Sequence, residues 1–219
     1  LSAIEGVKGV LFDCYDTLIV VEIDEESLQT YGEVVEWLHY QGVRIEPEIL
    51  KKEYHSRIRE QMDLSGELYP EVKLEEIFGE ICHDFRIWDI DEASLGIATA
   101  RTFRAASLRN LSVMERTVGL LDFLAPLRKG VVSNGQRVFS EIELRYFNLL
   151  RHFEFVLFSS DLGIKKPDYR VFRSALDRLG TLPEETLLIG NSEEEDLTPA
   201  AEIGLQTMHI RDAWEIPNQ

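Results

Sequence analysis

Four short polar stretches of this 219-residue chain carry side chains that could act together on one group. Asp13 follows the apolar run Val7 to Phe12, and Ser133 follows Gly130-Val131-Val132. Lys166 lies in Lys165-Lys166-Pro167-Asp168, beyond Phe155 to Phe158, and Asn191 to Asp196 lie beyond Thr186 to Ile189. A carboxylate, a hydroxyl, an ammonium and an oxygen-rich cluster suit phosphoryl transfer. The carboxylate can attack phosphorus and form an aspartyl phosphate. The hydroxyl, a loop amide and the ammonium can hold the phosphoryl oxygens. A hard divalent ion such as magnesium, held by oxygens, would screen the repulsion between carboxylate and phosphate. Asp13 alone could as well cap a loop; the four stretches together favour chemistry.

They converge only if their strands end along one edge of a sheet. The apolar runs alternate with helical patterns from Met114 onward: a helix to about Leu127, then helices bearing Val138, Ile142, Leu144 and Phe147, and Val171, Phe172, Ala175 and Leu179. Leu205 to Ile210 is a last strand. Strands alternating with helices predict a doubly wound α/β fold, a parallel sheet covered on both faces. Ligands of such sheets sit beyond the C-terminal strand ends. Ile19-Val20-Val21 reads as an extension of the first strand. Between the halves the pattern is helical throughout. Leu28, Tyr31, Val34, Val35 and Leu38 keep helical spacing, Pro47 opens a second helix, and two more run over about 72–85 and 92–108. The spacing predicts an all-helical subdomain over residues 24–110, inserted into an α/β core of residues 1–23 and 111–219.

Net charge is −17, from 40 acidic against 23 basic residues. Such a field argues against nucleic acid and anionic membranes as partners. An anionic substrate must then be held by local donors. No apolar run reaches the roughly 20 residues of a membrane span, and Leu1 to Lys8 has no signal-peptide pattern. Cys14 and Cys82 lack metal or redox spacing, so a reducing, cytoplasmic setting is expected.

The four stretches, in this order and each after an apolar run, resemble the motifs of the haloacid dehalogenase-like (HAD) hydrolase superfamily, in its helical-cap form. Phe12-Asp13-Cys14-Tyr15-Asp16-Thr17-Leu18 is similar to the first motif, Val132-Ser133-Asn134-Gly135 to the second, Lys166-Pro167-Asp168 to the third, and Gly190-Asn191-Ser192 through Asp196 to the fourth. The resemblance implies Asp13 as nucleophile, with Ser133, Asn134 and Lys166 around the phosphoryl group. Thr17 matches the threonine that steadies the first loop. Magnesium would rest on Asp13, the Tyr15 carbonyl, Asn191 and Asp196. The implied activity is hydrolysis of a small phosphorylated metabolite, with substrate choice in the helical insertion.

Two positions depart from the phosphatase pattern. Tyr15 stands where the acid/base aspartate is usual, and Asn191 replaces a metal-ligating aspartate. A phenol, with an ordinary pKa of about 10, can give a proton at neutral pH but is a poor base. Slow turnover is therefore expected. Tyr15 is also similar to the tyrosine of metal-independent 2-haloacid dehalogenases, but their tyrosine six residues after the third-motif lysine is Phe172 here. Arg57 and Arg59 read as a solvent face rather than as those enzymes' halide site. A catalytically weakened member that binds a ligand or a protein is the third reading. Asp16 reads as a turn residue, Ser192 with Glu195 as a capping box, and Lys165 as solvated. The five histidines show no ligand spacing, and Trp37, Trp88 and Trp214 read as packing.

Overall fold

A computed structural model describes residues 4–218 of the chain. Strand β1 (Gly9–Phe12) is buried along its whole length and occupies the centre of a five-stranded sheet. The chain then makes β2 (Ile19–Ile23), four helices α1 (Leu28–His39), α2 (Pro47–Leu64), α3 (Leu74–Asp84) and α4 (Glu92–Ser107), and the return strand β3 (Leu108–Val113). The second half runs α5 (Glu115–Phe123), β4 (Arg128–Ser133), α6 (Arg137–Tyr146), β5 (Phe155–Phe158), α7 (Ser159–Leu162) and α8 (Tyr169–Leu179). It closes with β6 (Thr186–Gly190), α9 (Thr198–Glu202), β7 (Gln206–His209) and α10 (Ile210–Ala213).

The sheet order is β5-β4-β1-β6-β7, and every pairing within it is parallel. Alternating side chains divide the sheet's two faces. Val10, Phe12, Val131, Leu187 and Ile189 pack against α5, α6 and α10. Leu11, Val132, Leu157 and Leu188 pack against α8 and α9. Near-continuous apolar strands are what a sheet covered on both faces requires. The chain leaves β1 toward β4 and β5 on one side and returns to β6 and β7 on the other. The loops after β1, β4 and β6 therefore border the crevice where strand order reverses.

Two expectations need correction. Ile19 to Ile23 does not prolong β1. Leu18 and Ile19 turn their N–H groups back onto the Cys14 carbonyl, and β2 then pairs antiparallel with β3 in a separate ribbon. The all-helical pattern expected to residue 110 ends at Ser107, and Leu108–Val113 forms β3, which was not legible because it has no regular alternation and its partner lies far away in sequence. Trp88 is half exposed and packs one side of its ring over Gly42.

The four helices share a core of their own. Tyr31, Leu38, Leu50, Phe78, Ile81 and Phe103 are buried in it, joined by Val138 and Phe139 of α6. α3 and α4 approach most closely at Gly79 and Gly96, where a Cβ on Gly96 would stand 2.2 Å from the Glu75 carbonyl oxygen. That contact is backbone and cannot give way like a side chain. Gly119, exposed on α5, has nothing within 4 Å of such a Cβ. In urea unfolding, Gly96→Ala should lose about 1–3 kcal/mol through overpacking. Gly119→Ala should gain up to about 1 kcal/mol through helix propensity.

Candidate active site

Asp13 is the first residue past β1. Its main-chain N–H donates to the Ile189 carbonyl at 2.9 Å, so the strand ladder itself fixes the start of the loop. The carboxylate is 6% exposed, Ser133 1%, Lys166 2% and Asp196 1%. A dry space of this kind strengthens every charge interaction inside it.

Lys166 holds the space together. Its Nζ donates to Asp13 Oδ1 at 2.7 Å, to the Val132 carbonyl at 3.3 Å, and to Asp196 Oδ1. Burial opposes the ammonium charge, but the attraction and hydrogen bonds of both carboxylates outweigh it and keep the lysine pKa above its ordinary value. Burial pushes the Asp196 carboxyl upward, against the pull of Lys166. The second Asp196 oxygen accepts from the Ser192 N–H at 3.2 Å. Asp196 thus faces Lys166 and the fourth loop, and a role toward a cation would have to be shared with those partners.

Asn134 is committed to the third loop. Its amide donates to the Lys166 carbonyl at 3.0 Å and accepts from the Lys166 N–H at 2.8 Å. Any contact of Asn134 with a ligand would fall to its main-chain N–H. Thr17 lies 3.4 Å from Asp13 Oδ2 and 3.3 Å from the Asn191 side chain, with its carbonyl accepting from Thr117 at 2.8 Å. Ser133 ends β4 beside β1, across from Phe158 of β5. Asp16 adopts φ 57°, a left-handed conformation that glycine takes without strain, and its side chain is exposed. Ser192 accepts from the Glu195 N–H, the expected cap. Asp168 caps α8 and pairs with Arg170, which also reaches Glu67 in the helical unit.

Oxygens on the other side of Asp13 could hold a cation. With its oxygen turned inward, the Asn191 amide stands 3.2 Å from the Tyr15 carbonyl and 3.3 Å from Asp13 Oδ2; turned over, its NH2 donates to both. The same place is closed by amide hydrogens or, in the first orientation, presents three oxygens to one another. A carboxylate, a main-chain carbonyl and an amide oxygen are ligands for a hard ion of magnesium type. Among the described residues no three His, Cys, Asp or Glu side chains gather to hold a metal. Carbonyl oxygens would therefore have to complete the set.

The Tyr15 phenol lies elsewhere. It donates to Glu143 Oε2 at 2.7 Å, shares a 2.7 Å hydrogen bond with Ser140, and accepts from Arg104 Nη2 at 3.3 Å. Burial, then the neighbouring Cys14 and Glu143, push its pKa far above the ordinary phenol value, so it is no base. Arg104 and Glu143 pair at 2.6 Å, both nearly buried. Motif reasoning missed Arg104, Ser140 and Glu143. One signal was present: Arg104 shares the buried face of α4 with Ala100, Phe103 and Ser107, and Glu143 shares that of α6 with Phe139 and Leu144. Opposite charges on two buried helix faces need each other.

A family model for haloacid dehalogenase-like hydrolases matches residues 7–204. The chain belongs to this family. Among HAD relatives, a glyceraldehyde 3-phosphate phosphatase of Methanocaldococcus jannaschii is 26% identical over 208 residues, 93% of this chain and 85% of its own length. A phosphoserine phosphatase of Thermus thermophilus is 33% identical over 93 residues, 40% of this chain and 37% of its own. Two solved structures share the fold over 97% of both chains: a HAD phosphatase from Thermococcus onnurineus (TM-score 0.60, 21% identity) and a 2-haloacid dehalogenase from Pseudomonas syringae (TM-score 0.66, 20% identity).

The dependence on Lys166 can be measured. Lys166→Met leaves Asp13 and Asp196 buried without their cation and should lose about 3–5 kcal/mol near neutral pH. With Lys166 gone, burial and Asp13 raise the Asp196 pKa further above its unfolded value. The folded variant then binds the extra proton, so its stability is greatest below the unfolded carboxylate pKa of about 4 and falls as pH rises. Urea midpoints across that range should show the gap from the native protein widening toward neutral pH.

Proposed function

We propose that this HAD hydrolase is a magnesium-dependent phosphatase of small phosphomonoesters that works through an aspartyl phosphate. The observation that carries the reading is Asp13: one carboxylate oxygen is held by Lys166, and the other lies 3.3 Å from the Asn191 amide, which is itself 3.2 Å from the Tyr15 carbonyl. The names of the phosphatase relatives support the same reaction class. In the first step an Asp13 oxygen forms a bond to phosphorus as the phosphorus–ester oxygen bond breaks, and the leaving oxygen takes a proton from water. In the second, water attacks the phosphoryl group, releasing phosphate and restoring Asp13. Lys166, Ser133 and the Asn134 N–H hold the phosphoryl oxygens. Asp13, the Tyr15 carbonyl, Asn191 and Asp196 would hold magnesium, whose charge lowers the repulsion between carboxylate and phosphate.

The helices α1 to α4, within residues 24–110, act as the cap that covers the site and selects the substrate. The limited exposure of Asp13 favours a small reacting end such as a phosphoryl group. Two buried free thiols, Cys14 and Cys82, suit a reducing cytoplasm. No helix among the described residues is long and apolar enough to cross a membrane. The dehalogenase reading gains no residue here. Phe172 is buried among Leu11, Val171 and Leu176, and Arg57 is engaged by Glu53 and Asp84.

With position 15 lacking a carboxylate, no acid/base stands there to activate the second-step water. A phosphate-ester panel with magnesium should therefore show a product burst and then a slower steady rate, both abolished by chelator and by Asp13→Asn. Chloride release from 2-chloropropionate, or activity retained in Asp13→Asn, would overturn the reading.

Asn191→Asp adds a carboxylate to the cation site and should tighten magnesium binding in calorimetric titration. Unchanged affinity would place Asn191 outside the ligand set.

A further inference from the structure

Tyr15 meets the active site with its main chain and the helical unit with its side chain. Its carbonyl stands 3.2 Å from the Asn191 amide, on the cation side of Asp13. Its hydroxyl is gripped by Ser140 and Glu143 of α6 and by Arg104 of α4. The phenolic proton goes to Glu143, an acceptor already paired with Arg104 at 2.6 Å. The guanidinium also lies over the Phe139 ring, 4.6 Å from its centroid. The following turn is equally fixed. Leu18 and Ile19 donate to the Cys14 carbonyl, and Asp16 donates to the Ile19 carbonyl at 2.8 Å. With the ring clamped on one side and the turn on the other, the carbonyl of Tyr15 has little freedom to move.

We propose that Tyr15 is a positioning residue whose phenol, locked by Arg104, Ser140 and Glu143, holds its own carbonyl in the cation pocket, so that docking of the helical unit through Arg104 sets magnesium affinity. This rests on the cation site of the proposed function. It gives position 15 a role distinct from acid/base catalysis: the side chain acts on the ion through the backbone. Partners that orient a metal ligand alter affinity although they never touch the metal.

The test is calorimetric titration of magnesium into metal-free native protein, Tyr15→Phe and Arg104→Lys, with amide hydrogen exchange at Leu18 and Ile19. Tyr15→Phe keeps the ring and the Arg104–Glu143 pair but loses the hydroxyl. It should weaken magnesium binding about 10-fold and speed exchange at both amides without metal. Arg104→Lys should weaken binding too, and the double variant should be no weaker than Tyr15→Phe alone. Turnover of Tyr15→Phe should recover at saturating magnesium, with only the half-saturation concentration raised. Native affinity in folded Tyr15→Phe overturns the proposal, as does a loss of turnover that saturating magnesium does not restore. If Tyr15→Phe fails to fold, Ser140→Ala removes one partner of the phenol, and unchanged affinity there overturns it equally. Absence of binding by the native protein would instead remove the cation site itself, and the inference with it. The two failures are thus distinguishable.

Discussion

Lys166 lies between Asp13 and Asp196 where almost no water reaches, and the rest of the site is arranged around that contact. Two carboxylates sharing a dry space with no cation between them would be costly to bury. The ammonium makes the pair tolerable, and the carboxylates in turn keep it charged against the penalty of burial. The geometry needs every nearby element. β1 delivers Asp13, β4 offers the Val132 carbonyl, Asn134 brackets the Lys166 peptide from both sides, and the Ser192 N–H holds Asp196. A buried charge with one misplaced partner costs several kcal/mol. The sheet order that brings these loops together is therefore part of the electrostatics.

The helical unit is attached at points that bear on the same loops. The β2–β3 ribbon joins it directly after the Asp13 turn. Tyr69 and Glu71 exchange main-chain hydrogen bonds with Lys165 and Gly163, next to Lys166. The buried Gln136 side chain bonds Leu74 and Val72, and Glu71 accepts from Ser159, which in turn bonds Gly135 in the loop after Ser133. Arg104 reaches Tyr15. Any movement of the helices is thus felt at the first, second and third loops. In the proposed reading, this physical link would let the helical unit influence the chemistry as well as the choice of substrate.

The charge of the whole chain works against an anionic ligand. At physiological salt that repulsion is screened beyond roughly 8 Å, so attraction at the site depends on donors within direct reach. Lys166, Ser133 and loop N–H groups are the proposed donors, and Asn191 puts a neutral amide rather than a carboxylate beside Asp13. In the proposed function that makes for a weaker magnesium site, where a carbonyl held firmly in place would matter more.

Much was legible in the sequence. The apolar runs ending in Asp13, Ser133 and Gly190 announced a parallel sheet and the edge where its loops converge, because buried strands need continuous hydrophobicity and helices need a 3.6-residue period. The helical character of the insertion was visible for the same reason. The turn at Asp16 and the cap at Ser192 were readable as local backbone chemistry. What the tertiary structure decided is the direction of side chains between elements distant in the chain. Nothing near Tyr15 in sequence says that its phenol meets Arg104, 89 residues away, and Glu143, 128 residues away. Nothing near Asn134 says that its amide serves Lys166, and β3 has no pattern apart from its partner β2. Local propensity and periodicity are written residue by residue. The pairing of buried polar groups is selected only once packing has removed water and left each donor the few acceptors within its reach.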